Sequence, residues 1–143
     1  MDFVSKLRER MAKEESGFTL IELLVVIIIL GILLAIAVPS YMGFKDRAEK
    51  KAAASNVRSA IPSAEAYFSD VGNYTNMTLT TGDAPDAQGL KGIDQGISNT
   101  LVVKGGATGY CLSDKVGNHF AKVVGPGGTV DDSASAACTS ATG

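Results

Sequence analysis

Residues 18–39 read FTLIELLVVIIILGILLAIAVP, and from Phe18 to Val38 only Thr19 and Glu22 are polar. As a helix, that stretch spans ~30 Å at ~1.5 Å rise per residue, the thickness of a bilayer's hydrocarbon core. The segment is therefore expected to cross a membrane. An ionised carboxylate inside such a run costs several kcal/mol unless it is paired, so Glu22 is the first candidate functional residue. Its bland alternative is to snorkel to the interface. The one cation available at that depth would be a new α-amino group, made by cutting the chain between Gly17 and Phe18.

Working outward, Met1 to Gly17 is polar, with four bases (Lys6, Arg8, Arg10, Lys13) balanced by four acids (Asp2, Glu9, Glu14, Glu15). Beyond Pro39 the pattern becomes one-sided: Tyr41, Phe44, Ala48, Ala52, Ala60, Ala64, Tyr67, Phe68 and Val71 fall mostly three or four apart, which is helical periodicity. The intervening Lys45, Asp46, Arg47, Glu49, Lys50 and Lys51 mix signs as a solvated helix face does, and no other role is expected of them. One helix from about Phe18 to about Asp70 would be ~80 Å long, wider than a globular domain of this mass, so half of it should protrude. Pro39 and Pro62 are expected to kink it, and Gly72-Asn73 to end it.

The rest reads as turns and short strands: Asn99 to Lys104, a tight turn at Gly105-Gly106, Thr108 to Ser113, a turn at Gly117-Asn118, and His119 to Val124. That predicts a three-stranded antiparallel meander, with Leu101, Val103, Tyr110, Leu112, Phe120 and Val124 packed on the soluble half of the helix. Gly72 to Ser98 is expected to be a connecting loop with at most a helical turn, and the small-residue tail Ser133 to Gly143 to be mobile or weakly packed. The fold class is α+β.

Composition excludes several function classes. The net charge is -2, from 13 Lys+Arg against 15 Asp+Glu, with no basic stripe, which disfavours a dedicated nucleic-acid site. One His, two Cys and no Trp leave little from which to build a metal centre or a Cys-His catalytic pair, so neither an enzyme nor a cofactor is expected. Cys111 and Cys138 are either a disulfide tying the tail to the sheet or two unrelated thiols. The disulfide suits a small domain with a poor core and would place the C-terminal part in an oxidising compartment.

Gly17-Phe18-Thr19-Leu20-Ile21-Glu22, followed by an apolar run and Pro39, resembles the N-terminal signature of the type IV pilins and the related type II secretion pseudopilins. The match is close from Glu15 to about Tyr41; the continuing helix, small sheet and C-terminal cysteine pair fit the pilin plan more loosely. The resemblance implies a leader, residues 1–17, removed after Gly17 by a prepilin peptidase at the cytoplasmic face, with methylation of the Phe18 amine. It implies that Glu22 neutralises the Phe18 amine of a neighbouring subunit as apolar helices leave the bilayer for a filament core. Gly31 and Pro39 match positions between which pilin helices are often unwound. The implied partners are further copies of the chain, an inner-membrane assembly platform and assembly ATPases. The implied route runs from the inner membrane to an extracellular pilus.

Competing readings are weaker. Ala35-Ile36-Ala37 fits an ordinary signal-peptide cleavage site, which would release a soluble domain, but it leaves Glu22 without a purpose. Asn73-Tyr74-Thr75 and Asn76-Met77-Thr78 match a glycosylation pattern that is mostly chance in a bacterial-type chain. Asp83, Asp86, Asp94, Asp131 and Asp132 lack EF-hand spacing for calcium. Gly125-Pro126-Gly127-Gly128 is a turn, His119 is structural or exposed, and Tyr41, Phe44, Tyr67 and Phe68 are expected in the core. The leading function is a major pilin, with a type II secretion pseudopilin second and a secreted or membrane-anchored binding domain third. By family resemblance the cysteine pair favours the pilin, since major pseudopilins usually lack it and carry a calcium-binding loop.

Overall fold

The computed structural model describes Lys6, residues 18–80 and residues 89–143. The chain divides into two compact units, Met1–Gly43 and Phe44–Gly143. Helix α1, Leu20–Val71, begins where Thr19 caps it: the Glu22 N–H donates to Thr19 O at 3.0 Å and to Thr19 Oγ1 at 3.3 Å. α1 is helical throughout this range, Gly31, Pro39 and Pro62 included, although each proline leaves out one backbone donor. It stops at Gly72, whose φ of 81° is open to glycine and whose N–H closes the last turn on Phe68 O at 2.7 Å.

In the first unit the apolar side chains from Leu20 to Val38 are exposed. In the second unit, helix residues Ala53, Val57, Ala60, Ala64 and Tyr67 form a buried stripe with spacings of four and three. This differs from the expected face. Ala48 and Ala52 are exposed because the buried stripe runs through Ala53 instead, and Tyr41 and Phe44 are exposed because the packed stripe starts only at Ala53. Phe68 and Val71 lie at the margin of that stripe and stay partly open. Tyr67 alone of the four aromatic candidates is buried.

The sheet has four strands rather than three: β1 (Val102–Gly105), β2 (Tyr110–Val116), β3 (His119–Gly125) and β4 (Asp131–Ala134), antiparallel in sequence order. β4 escapes sequence reading because Asp131-Asp132-Ser133-Ala134 has none of the β-branched or aromatic residues that mark a strand. β1 extends through Gly105, which pairs with Tyr110, so the turn falls on Gly106–Gly109. The Gly117 turn is where expected, with φ at 58°.

Successive strand residues face opposite ways, and the register Leu112↔Val123 decides which of them β3 buries. Ala121 and Val123 share the core with Leu101, Tyr110 and Leu112, while Phe120 and Val124, expected inside, lie on the other face. Phe120 instead lies beneath Lys115 Nζ, 5.2 Å from its ring centre. Val103 is partly buried against the core.

The segment after α1 contributes more than a connection. Tyr74, Met77, Leu90 and Ile97 are buried, and a single helical turn, α2 (Leu90–Ile93), is held by Leu90 and Lys91 N–H groups donating to Thr78 O and Leu79 O. The tail from Ser133 to Gly143 is mostly exposed, as a weakly packed segment would be, but it is tied down at two points. β4 pairs with β3, and Cys138 is buried with its N–H donating to Ser113 Oγ at 2.9 Å. Chain folded over the outer face of β2 explains why Tyr110 to Asp114 are all buried, with no alternation.

Candidate functional site

The N-terminal site is built on the first turn of α1. Thr19 is the N-cap, Leu20 the first helical residue and Glu22 the third, so the Thr19-x-x-Glu22 spacing is that of a capping box, of which the Thr19 half is formed. Glu22 thus sits at the positive end of the helix dipole, where a carboxylate is favoured. That gives the acid a structural reason to be there that its place in an apolar run had concealed. Phe18 is exposed immediately before the cap. Gly17 and the remainder of the expected leader apart from Lys6 lie outside the described residues, and Gly31 and Pro39 are helical.

In the second unit, α1 and β2 are clamped at two polar points. Asp114, almost wholly buried, accepts from Asn56 Nδ2 and Thr100 Oγ1, both at 2.6 Å. Glu65 accepts from Tyr74 OH at 3.0 Å through Oε2 and from Tyr110 OH at 2.8 Å through Oε1. Nine helix residues between Asn56 and Glu65 rise ~13.5 Å, and four strand residues between Tyr110 and Asp114 rise ~13 Å, so the clamps meet in register with β2 antiparallel to the helix. Burial and the Glu65 carboxylate push the Tyr74 hydroxyl up to about 12 and Tyr110 higher still, so both remain protonated donors.

Neither clamp was singled out from the sequence, though a signal existed for each. Alternation places Asp114 on the same face as Tyr110 and Leu112, and helical spacing places Glu65 between Ile61 and Phe68. The two lysines read as solvent-facing carry a tertiary contact. Lys51 Nζ reaches Asp132 Oδ2 at 2.7 Å and Lys50 Nζ reaches Asp132 Oδ1 at 3.5 Å, pinning β4 to the helix. His119 Nε2 lies 2.7 Å from Asp46 Oδ1.

Cys111 and Cys138 are joined by a disulfide with Cα atoms 5.9 Å apart. The remaining acids have local partners: Asp94 accepts from the Gly96 N–H and Asp131 from the Ser133 N–H and hydroxyl. Asp83 and Asp86 lie outside the described residues. Asn73 Oδ1 accepts from the Thr75 N–H, an Asx turn. Gly125–Gly128 forms the expected turn, with a cis peptide at Pro126. Among the described residues no group of three or more His, Cys, Asp or Glu side chains is placed to hold a metal ion.

With the geometry of the first turn in place, comparison with known proteins bears on it directly. Residues 13–38 match the prokaryotic N-terminal methylation motif. The chain carries a prepilin motif. That motif covers Phe18, Thr19 and Glu22 and most of the exposed apolar helix. Among its relatives, the type IV major pilin of Myxococcus xanthus is 37% identical over 49% of this chain and 32% of that protein. The type IV major pilin of Neisseria gonorrhoeae is 33% identical over 74% of this chain and 63% of that protein. The type II secretion system core protein G of Dickeya chrysanthemi is 39% identical over 45% of this chain and 42% of that protein. The chain thus spans between 32% and 63% of the length of these curated relatives. No solved structure is significantly similar to it.

Proposed function

We propose that this chain is the major structural subunit of a type IV pilus. A prepilin peptidase cuts after Gly17 and methylates the Phe18 amine, and residues 18–38 hold the subunit in the inner membrane until it enters an extracellular filament. The observation that carries this reading is the methylation motif over a helix whose apolar side chains, from Leu20 to Val38, find no cover in their own unit. A bundle of like helices is as apolar as lipid, so transfer between the two costs little and polar pairs can select the register.

The chemistry of the first turn supports the role of Glu22. A new amine on Phe18 would add positive charge at the positive end of the helix dipole, and a neighbouring subunit's Glu22 offsets it. Gly31 and Pro39 are the points at which the helix is proposed to loosen during packing, since glycine is a poor helix former and proline lacks an amide donor. The remaining partners are proposed to be an assembly platform and its ATPases, and the chain's own role is structural rather than catalytic. Similarity to type II secretion core proteins supports a second reading, a pseudopilin. The Cys111–Cys138 bridge favours the pilin.

The test is the intact mass and first residue of the mature protein from its native host, with electron microscopy of the cell surface. A methylated Phe18 start and long filaments containing the chain are expected. Phe18 starts without long filaments would favour the pseudopilin, and a start at Val38 would replace both with a cleaved signal peptide.

A further inference from the structure

Glu65, like Asp114, is held only by neutral donors, but it alone of the two opens onto a cavity. Both its oxygens are held by tyrosine hydroxyls, and among the described residues no lysine, arginine or histidine lies within ion-pair distance of it. It also lines a cavity of about 510 Å3, together with Phe68, Gly72, Tyr74, Ala107, Thr108 and Pro126. The walls are mostly apolar. Phe68 and Tyr74 stack with ring centres 4.8 Å apart, and Tyr74 and Tyr110 follow at the same spacing. The tyrosines hold the carboxylate through two hydrogen bonds without neutralising its charge, because a phenol hydroxyl is an uncharged donor.

A half-buried, fixed negative charge beside aromatic faces is the chemistry that selects a cation with an apolar body. The carboxylate supplies Coulomb attraction in a medium less screening than water, and the partly exposed Phe68 ring, with the other apolar walls, buries the hydrocarbon. Neutral molecules of the same shape would gain the burial alone. An anion would be repelled. Gly72 has nothing within 4 Å of where a Cβ would stand, so the rim at the end of α1 is open.

We propose that the Glu65 cavity is a binding site for small organic ammonium ions carrying an aromatic or aliphatic group. Benzylammonium is the probe, and benzyl alcohol is its neutral counterpart of nearly equal size. The full chain in a non-ionic detergent is titrated with each while the ring resonances of Tyr74 and Tyr110 are followed by NMR. Saturable shifts at both tyrosines are expected for benzylammonium, with at least tenfold weaker binding of the alcohol. Glu65→Gln removes the charge and is expected to weaken the ammonium at least tenfold while leaving the alcohol unchanged. Because that variant also perturbs two tyrosine hydrogen bonds, Thr108→Lys serves as the second. It leaves Glu65 and its donors intact, sits at an exposed position and places a tethered ammonium at the rim, so it should abolish binding of the probe. Equal affinity for the alcohol and the ammonium, unchanged binding in Thr108→Lys, or no saturable shift at Tyr74 would each overturn the proposal.

Discussion

Ile32 and Leu33 are as apolar as Val57 and Leu112, yet the first pair is 59% and 57% exposed and the second pair is fully covered. The contrast runs through the two units. From residue 18 to 43 the chain presents large side chains on every face of the helix. From Ala53 onward the helix instead buries a narrow stripe made mostly of alanine. Large side chains all round a helix fit lipid or a bundle of like helices, whereas alanine lets a sheet approach closely and loses no side-chain entropy on burial. Exposed in water, the Leu20–Val38 side chains would forgo on the order of 20 kcal/mol of burial. One helix thus carries two kinds of surface.

The sharpest way to break the comparison is Glu22→Ala. It should abolish filaments seen by electron microscopy while leaving the thermal unfolding of residues 44–143 unchanged; normal filaments would remove Glu22 from assembly. Next in size is the double change Cys111→Ser with Cys138→Ser. It opens a loop with a sequence separation of 27 and should lower the unfolding free energy by ~3.5 kcal/mol in denaturant titrations. A loss under ~1 kcal/mol would mean that β4 and the Cys138–Ser113 hydrogen bond hold the tail unaided.

A paired test then sets the two halves of the helix side by side. Ala60→Leu should overpack the stripe and cost ~1–3 kcal/mol, whereas Leu24→Ala should leave the unfolding midpoint of the second unit unmoved. Equal effects would refute the division of labour. The smallest effect belongs to Lys51→Ala at the β4 clamp. Asp132 is held below the usual carboxylate range first by the Lys51 hydrogen bond and then by the charges of both lysines. A lowered folded-state pKa stabilises above the unfolded value and ceases to do so as pH falls through the folded one. The deficit of Lys51→Ala should therefore be measurable at neutral pH and fade below about pH 4.

The apolar run, the helix to Val71, its Gly72 stop and the antiparallel hairpins were legible because each rests on local rules of periodicity and turn chemistry. What was not legible depends on contacts between distant residues. The buried face of β3 turns on a register that Phe120 and Val124 alone do not reveal, and β4 exists only because Lys50, Lys51 and β3 hold a polar tetrapeptide in place. The helix stripe was misjudged by one position at Ala52 because runs of alanine satisfy several phases at once. At the candidate site, Phe18 and Glu22 stood out by chemistry, but the capping role of Thr19 needed the helix start to be located. Glu65 and Asp114 were hidden among ordinary surface acids, their partners lying nine or more residues away in sequence.

The two rims of the sheet have a consequence for a chain proposed to polymerise. At one rim the backbone of Tyr74 lies so close to Gly105 that a Cβ there would collide with its carbonyl, and the Tyr74 N–H already donates to Gly106 O. At the other, β4 is four residues long and carries two aspartates, one of them claimed by two lysines. A foreign strand thus meets the Tyr74 backbone at one end of β1 and a short, charged β4 on the other side. Crowded subunits are therefore hindered from recruiting one another sheet to sheet into amyloid-like clumps, and the largest run of exposed apolar side chains among the described residues is the one that α1 carries from Leu20 to Val38.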